Sequence, residues 1–413
     1  MRSLTGQEVE AEEAKQGRIE FNFPLLTVRT RMFGGVFDRL GFLRASRFVS
    51  WVALIIVPVV AGIGLYLICS SLFTLLWTPA AREAIGEMSP ASYLLLPGIN
   101  PFLPIVYGWL AIVCAIVVHE GAHGIIARNR GLRVKSSGLL FFLIIPIGAF
   151  VDVDEEQLTK AKHRDSLRVM AAGVGANIVV AVACILAVLV IVNGLTPAMS
   201  GLFISEVEEG MPAEAAGLLP NDFFVSIDNT SFGSLEELRT FFRDKNSGDT
   251  VHVIVARGEK LEERFSTSVT LTESEDDRAV MGVNVSNLMI EERLKFYRTL
   301  TPETLTLYIF PPSLARDLVP FSDFLIPFYT HGLGAQWHVY ANIFFWLWFV
   351  NFNVAVFNAL PIYPLDGGRM FNITLKSVLG RRVSEKTISR ITFAVTATLI
   401  WILLLIVLIP FIM

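Results

Sequence analysis

Residues 105–123 read IVYGWLAIVCAIVVHEGAH, an apolar stretch that closes on two histidines and a glutamate. The run without Asp, Glu, Lys or Arg extends back to residue 88, well beyond the roughly 20 residues that cross a bilayer. Four more such runs, 48–81, 169–205, 339–365 and 391–413, are also long enough. Over 413 residues, 53% are hydrophobic, 17% are charged and the mean hydropathy is +0.56. A soluble protein carries about 25% charged residues. The chain therefore reads as a polytopic α-helical membrane protein of five to six spans. A net charge of −4 provides no basic surface on which to hold nucleic acid, so no nucleic-acid partner is expected. Cys69, Cys114 and Cys184 lie inside apolar runs and suggest neither a disulfide framework nor a CxxC metal site. Residues 1–47 lack the apolar core of a cleaved signal peptide, so the run from Phe48 to Ala81 is expected to remain as an anchor.

Orientation follows from the basic residues. Of 34 Lys and Arg, eight fall in 1–47, eight in 128–168 and six in 369–390, whereas 82–100 holds only Arg82. The three basic segments are expected on the cytoplasmic side. The other eleven lie in 194–336, too long a segment for its charge to decide topology. The N-terminus is then cytoplasmic and the large segment after the third span is extracytoplasmic.

Between the spans the chain changes character. Residues 1–47 form an N-terminal segment in which alternation through 18–28 hints at a strand, although a surface-lying amphipathic stretch fits as well. Residues 136–151 are apolar but too short to span, and carry Pro146 and Gly148. A re-entrant hairpin on the cytoplasmic side is expected there, because irregular backbone at membrane depth persists only against protein or a watery cavity, with an ordinary interfacial loop as the alternative. Residues 48–199 and 337–413 make the two parts of the membrane domain. Residues 200–290 are charged and periodic: a strand, a short helix entered at Pro212, a stop at Gly217, a strand turning at Asp228-Asn229, a helix capped by Ser234 and a strand over 251–256. This order resembles a PDZ domain of the circularly permuted prokaryotic kind. The resemblance implies an inserted extracytoplasmic α/β domain that captures a peptide end by β-augmentation, with Met281, Gly282 and Val283 in the loop and strand that would bind it. A PDZ-like plug without a ligand is the alternative. Residues 291–336, containing Phe310-Pro311-Pro312, are expected as an interfacial linker of helices leading to the fourth span.

On a helix, His119 and His123 share one face about a turn apart, the spacing that closes two imidazoles on one zinc ion. Glu120 is rotated about 100° from His119, within reach of a water as general base. Ionisable groups at the end of an apolar span are costly unless paired or coordinating, so the cluster is a functional site by default. A catalytic zinc needs a third protein ligand. Asp152, Asp154, Asp366 and His338 are candidates. Asp366 is the strongest, since it ends an apolar run within Asn358-Ala-Leu-Pro361-Ile-Tyr-Pro364-Leu-Asp366-Gly-Gly368, where the prolines break the helix and the glycines let the backbone turn.

HExxH in one span and NxxPxxPLDGG in a later one together resemble the site-2 proteases, zinc intramembrane metalloproteases. The resemblance runs over roughly 100–380 and includes Gly173-Val-Gly-Ala-Asn177, where relatives often carry a Gly-Pro version. It implies one zinc ion per chain on His119, His123 and Asp366, Glu120 activating water, and Asn358 bonding the oxyanion or substrate backbone. Asn177 is expected to pack between helices. Substrates would be single-span membrane proteins or signal peptides. Their unwound backbone would pair with the 136–151 hairpin, here through Gly148 and Phe150. A catalytically silent scaffold that tethers peptides is the alternative from another class, and a complete catalytic set argues against it. A metal transporter would need ionisable residues along successive spans.

Overall fold

The computed structural model describes residues 18–412 except 31–32, 144, 199–200, 259–260, 275–277, 289, 300, 302–303, 305, 317 and 381. Among the described residues, five helices are long and apolar enough to cross a membrane: Arg44–Trp77, Ile105–Asn129, His163–Asn193, Trp337–Ala359 and Glu385–Ile412. These correspond to the five apolar runs with several boundaries moved inward, the first, third and fourth spans ending at Trp77, Asn193 and Ala359 rather than at 81, 205 and 365. Residues 90–104, charge-free but rich in proline, form a short 3-10 turn and loops, so the second span starts after Pro104.

The chain divides into two compact units, residues 1–185 with 345–413, and residues 186–344. In the first, small side chains bring the spans together. Ala53, Ala127, Ala171, Ala172, Ala355 and Ala359 belong to one buried cluster, and a Cβ at Gly175 would stand 2.4 Å from that of Ala53. Such residues let helix backbones approach closely where lipid removes the hydrophobic drive for association.

A four-stranded antiparallel sheet sits against the second span. Its strands β1 (Arg18–Asn22), β2 (Leu25–Thr30), β3 (Val134–Phe142) and β4 (Ile145–Val153) lie in that order. The expected hairpin is thus β3 and β4, and the N-terminal alternation is a true strand pair that extends it. Residues 1–17 and 31–32 of the N-terminal segment lie outside the described residues. A short helix, Gly34–Gly41, follows β2 and packs on the second span, with the Phe37 ring against Gly124 and Arg128 paired with Asp38.

In the second unit, after β5 (Leu195–Pro197), the strands β6 (Gly201–Val207), β7 (Phe223–Ile227), β8 (Thr250–Arg257), β9 (Glu263–Thr270) and β12 (Val283–Leu288) form an antiparallel sheet in the order β12-β6-β7-β8-β9, while β10 (Thr272–Glu273) and β11 (Ala279–Val280) pair with each other. Pro212 opens the Pro212–Ala215 helix, and Gly217 has a φ of +77°. Asp228 and Asn229 are both left-handed, as the turn residues between strands must be. Ser234 accepts from the Glu237 N–H while Glu237 accepts from the Gly233 N–H, so both side chains cap the Leu235–Arg243 helix.

The 291–336 connection departs from expectation. Beyond the Ile290–Arg298 helix, the described residues include the 3-10 turns Thr306–Ile309 and Ile326–Phe328 and a strand, β13 (Tyr329–His331), paired with β5 (Leu195–Pro197). Prolines at 311, 312, 320 and 327 forbid longer helices. Its aromatic residues pack on the sheet, with Phe324 and Phe328 at 5.0 and 5.1 Å from the Phe203 ring.

Candidate active site

His119 and His123 stand four residues apart in the second span, each 7% exposed, with ring centroids 4.8 Å apart. Their Nε2 atoms converge on one oxygen, Asp366 Oδ2, at 3.0 and 3.1 Å. Asp366 opens the Asp366–Leu379 helix, so its carboxylate occupies the partially positive end. The glycines after it do not serve as a turn. A Cβ at Gly367 would stand 2.1 Å from the Ala359 carbonyl oxygen and one at Gly368 2.4 Å from the Ile362 carbonyl. Neither glycine has a positive φ. They let the helix start rest directly on the backbone that leaves the fourth span, and this close contact carries Asp366 to the histidines.

Second contacts orient the site. The carbonyl of Val169 lies 2.8 Å from His123 Nδ1 and accepts its proton, which leaves the Nε2 lone pair free for a metal. Glu120 Oε2 accepts the Val151 N–H at 3.0 Å. In β4, Val151 lies opposite Ser137 of β3, and its N–H points to Glu120 instead of into the ladder. This is the free edge of the sheet, and by alternation the backbone of Ala149 faces the same way. The candidate ligand atoms of His119, Glu120 and His123 all lie within 4.8 Å of one another.

The donors suit zinc. Tetrahedral bonds of roughly 2.0–2.1 Å place neighbouring donor atoms about 3.3 Å apart, close to the observed separations. Space is reserved as well: a Cβ at Gly173 of the third span would lie 2.6 Å from both Nε2 atoms. Two imidazoles, one carboxylate and a cleared wall fit a three-ligand zinc site with an open position.

The other sequence candidates fall elsewhere. Asp154 caps the Glu155–Lys160 helix through the Glu156 and Gln157 N–H groups and faces Lys135 at 3.5 Å. Asp152 pairs across β3 with Ser136, and the His338 ring lies edge-on to Trp337. Asn358 donates to Val354 O of its own helix at 3.0 Å. Phe150 does not reach the free edge: its ring covers Gly138, 2.7 Å from where a Cβ would be, beneath the Arg29 guanidinium. Gly148 lies opposite Leu140 in the ladder. Met281 is a core residue, 4% exposed, whose carbonyl accepts from Ala213 N–H. Gly282, at φ +80°, accepts from Glu208 N–H, and a Cβ there would collide with Met211. Val283 begins β12, an edge strand paired with β6.

Sequence reasoning missed two contacts on one face of the third span. Gly173 supplies the cleared wall, and Asn177, expected only to pack, has its amide 3.3 Å from His119 Nδ1. Their separation of four residues was the available signal.

Comparison with known proteins agrees with this geometry. Peptidase family M50 matches residues 107–403. An uncharacterized protein of Methanocaldococcus jannaschii is 23% identical over 395 residues, 89% of this chain and 90% of that one. The membrane metalloprotease ARASP, chloroplastic, of Arabidopsis thaliana is 25% identical over 64% of this chain and 69% of its own length. Zinc metalloprotease RasP of Shouchella clausii is 26% identical over 45% of each. Among solved structures, the PDZ domain of an SdrC-like protein from Listeria monocytogenes is 23% identical, covering 21% of this chain and 88% of that one with a TM-score of 0.19. With the family matched over most of its length and the zinc-type donors brought together on its spans, the chain belongs to peptidase family M50, the site-2 proteases, and is a membrane metalloprotease.

Proposed function

We propose that this protein is an intramembrane endopeptidase, holding one zinc ion per chain, that cuts transmembrane segments of single-span membrane proteins or signal-peptide remnants. The observation that carries the reading is the junction of His119, His123 and Asp366 beside Glu120, built on bilayer-length apolar helices. Zinc, when bound, polarises the scissile carbonyl and lowers the pKa of water to about 7. Glu120, pinned by the Val151 N–H, accepts a proton from the attacking water and passes it to the leaving amine. A substrate helix must unwind to expose a peptide bond, and its freed backbone groups need partners. The free edge of β4, at Ala149 and next to Glu120, offers them by strand addition, with Gly148 and Phe150 shaping the strand. Asn358 is assigned to the substrate backbone or oxyanion, exchanging its internal bond to Val354 when substrate arrives.

Zinc content tests the ligand set. Purified wild type should carry near-stoichiometric zinc, and His119→Ala and Asp366→Ala should lose it, because two remaining ligands hold zinc poorly. Asp154→Ala should keep it. Equal zinc in Asp366→Ala and wild type would mean that the wrong carboxylate has been assigned.

The basic segments at 1–47, 128–168 and 369–390 support a cytoplasmic N-terminus, an active site toward the cytoplasm and an extracytoplasmic PDZ-like domain. That domain acts as a filter, excluding bulky substrate ectodomains or capturing a new carboxyl end at Gly282-Val283 beside the β12 edge. Replacing 200–290 by a short linker should leave cleavage of a small single-span peptide intact and admit substrates with large outer domains. Loss of small-substrate cleavage with zinc content intact would rule the filter out.

A further inference from the structure

Asn177 takes no part in the mechanism above, yet it is 0% exposed and its amide stands against a zinc ligand. Its Nδ2 lies 3.3 Å from His119 Nδ1, and its Oδ1 is buried with no hydrogen-bond partner. An amide oxygen left in that state has given up its water without a replacement bond. With the amide so placed, Asn177 donates to Nδ1 and the ring proton resides on Nε2, where it faces Asp366 Oδ2 at 3.0 Å. Both ring nitrogens of His119 are hydrogen-bonded in this arrangement. Coordination through Nε2 moves the ring proton to Nδ1, and an NH₂ group facing that proton would set two donors head to head. A half-turn of the amide settles both problems, because Oδ1 then accepts the Nδ1–H and is no longer alone.

We propose that Asn177 is a positioning residue for His119: its amide pairs with either proton arrangement of the ring and, with zinc bound, holds the Nδ1–H form by accepting from it. His123 already has a fixed acceptor in the Val169 carbonyl, so its ring is committed to one form. His119 has a partner that turns. Gly173, on the same face of the span, clears the metal side of the imidazole while Asn177 holds its far side. The inference rests on the zinc reading of the site.

The test compares wild type, Asn177→Leu and Asn177→Asp as full-length protein in detergent. Zinc dissociation constants are measured by chelator competition, and thermal unfolding is followed in the zinc-free state. Leu fills nearly the same volume but bonds nothing, so zinc binding should weaken about 10–100-fold, the usual effect of losing an outer partner of a metal histidine. Its zinc-free unfolding temperature should not fall. Asp retains an acceptor for the Nδ1–H and should bind zinc within a few-fold of wild type. Should the Leu chain fail to fold, Asn177→Ala is read in the same way. Leu or Ala binding zinc as tightly as wild type overturns the proposal, as does Asp weakening it as much as Leu. A wild type that binds no zinc at all would instead fail the metalloprotease reading on which the proposal stands.

Discussion

Glu120→Gln should retain full zinc content and lose proteolysis by about 10²- to 10⁴-fold, the range that a positioned general base supplies. The structure makes the separation clean. Glu120 Oε2 accepts the Val151 N–H, and the amide oxygen of Gln can accept the same bond, so the side chain should stay in place. What disappears is the capacity to take a proton from water. Single-turnover cleavage of a model single-span substrate, beside metal analysis of the same preparation, reads both quantities. Robust cleavage by this variant would remove Glu120 from the chemistry, whereas loss of zinc together with activity would make it a ligand.

Gly173→Ala should have a comparable effect by a different route. The added methyl would lie 2.6 Å from Nε2 of both His119 and His123, a separation that no carbon tolerates, and the shortest escape pushes the imidazoles off Asp366. Zinc affinity should fall by more than about 100-fold, the upper end for changes that merely disturb an outer partner. Gly121→Ala makes a sharp control. Gly121 lies between the two histidines, but a Cβ there meets nothing within 4 Å. It should leave zinc binding unchanged and add up to about 1 kcal/mol of helix propensity. Chelator competition on the two variants decides the matter, and a Gly173→Ala protein that binds zinc normally would show that the site has room the structure does not display.

Much of this architecture is legible in the sequence, because the bilayer imposes length and apolarity on each span independently of its neighbours. The cluster at 119–123 was readable for a similar reason: two ligands on one helix face are a local pattern. Asp366 needed the second motif, and the glycines after it were misread as a turn because close backbone contact leaves no trace in a sequence. The β1–β2 pair shows the same limit. Its alternation was visible, but its partner strand β3 begins at residue 134, beyond two intervening spans, and no local pattern announces such pairing. Met281 illustrates a third case, in which the loop was located but the side chain belongs to the core and leaves only backbone for recognition. Residues 291–336 read as helices in sequence, but the prolines at 311, 312, 320 and 327 divide the connection into short turns.

The separation between the ligands bears on how the enzyme is made. His119 and Asp366 are 247 residues apart. A ribosome finishes the span holding both histidines long before it synthesises the carboxylate that completes their site. Until the fourth span is inserted and the helix behind it has seated on its backbone, the two imidazoles stand without the carboxylate that meets them in the finished site. On the zinc reading proposed above, a membrane protease is thereby kept inert during its own insertion, when helices of this chain and its neighbours stand unassembled in the same bilayer. The site can close only once the chain has been made through Asp366.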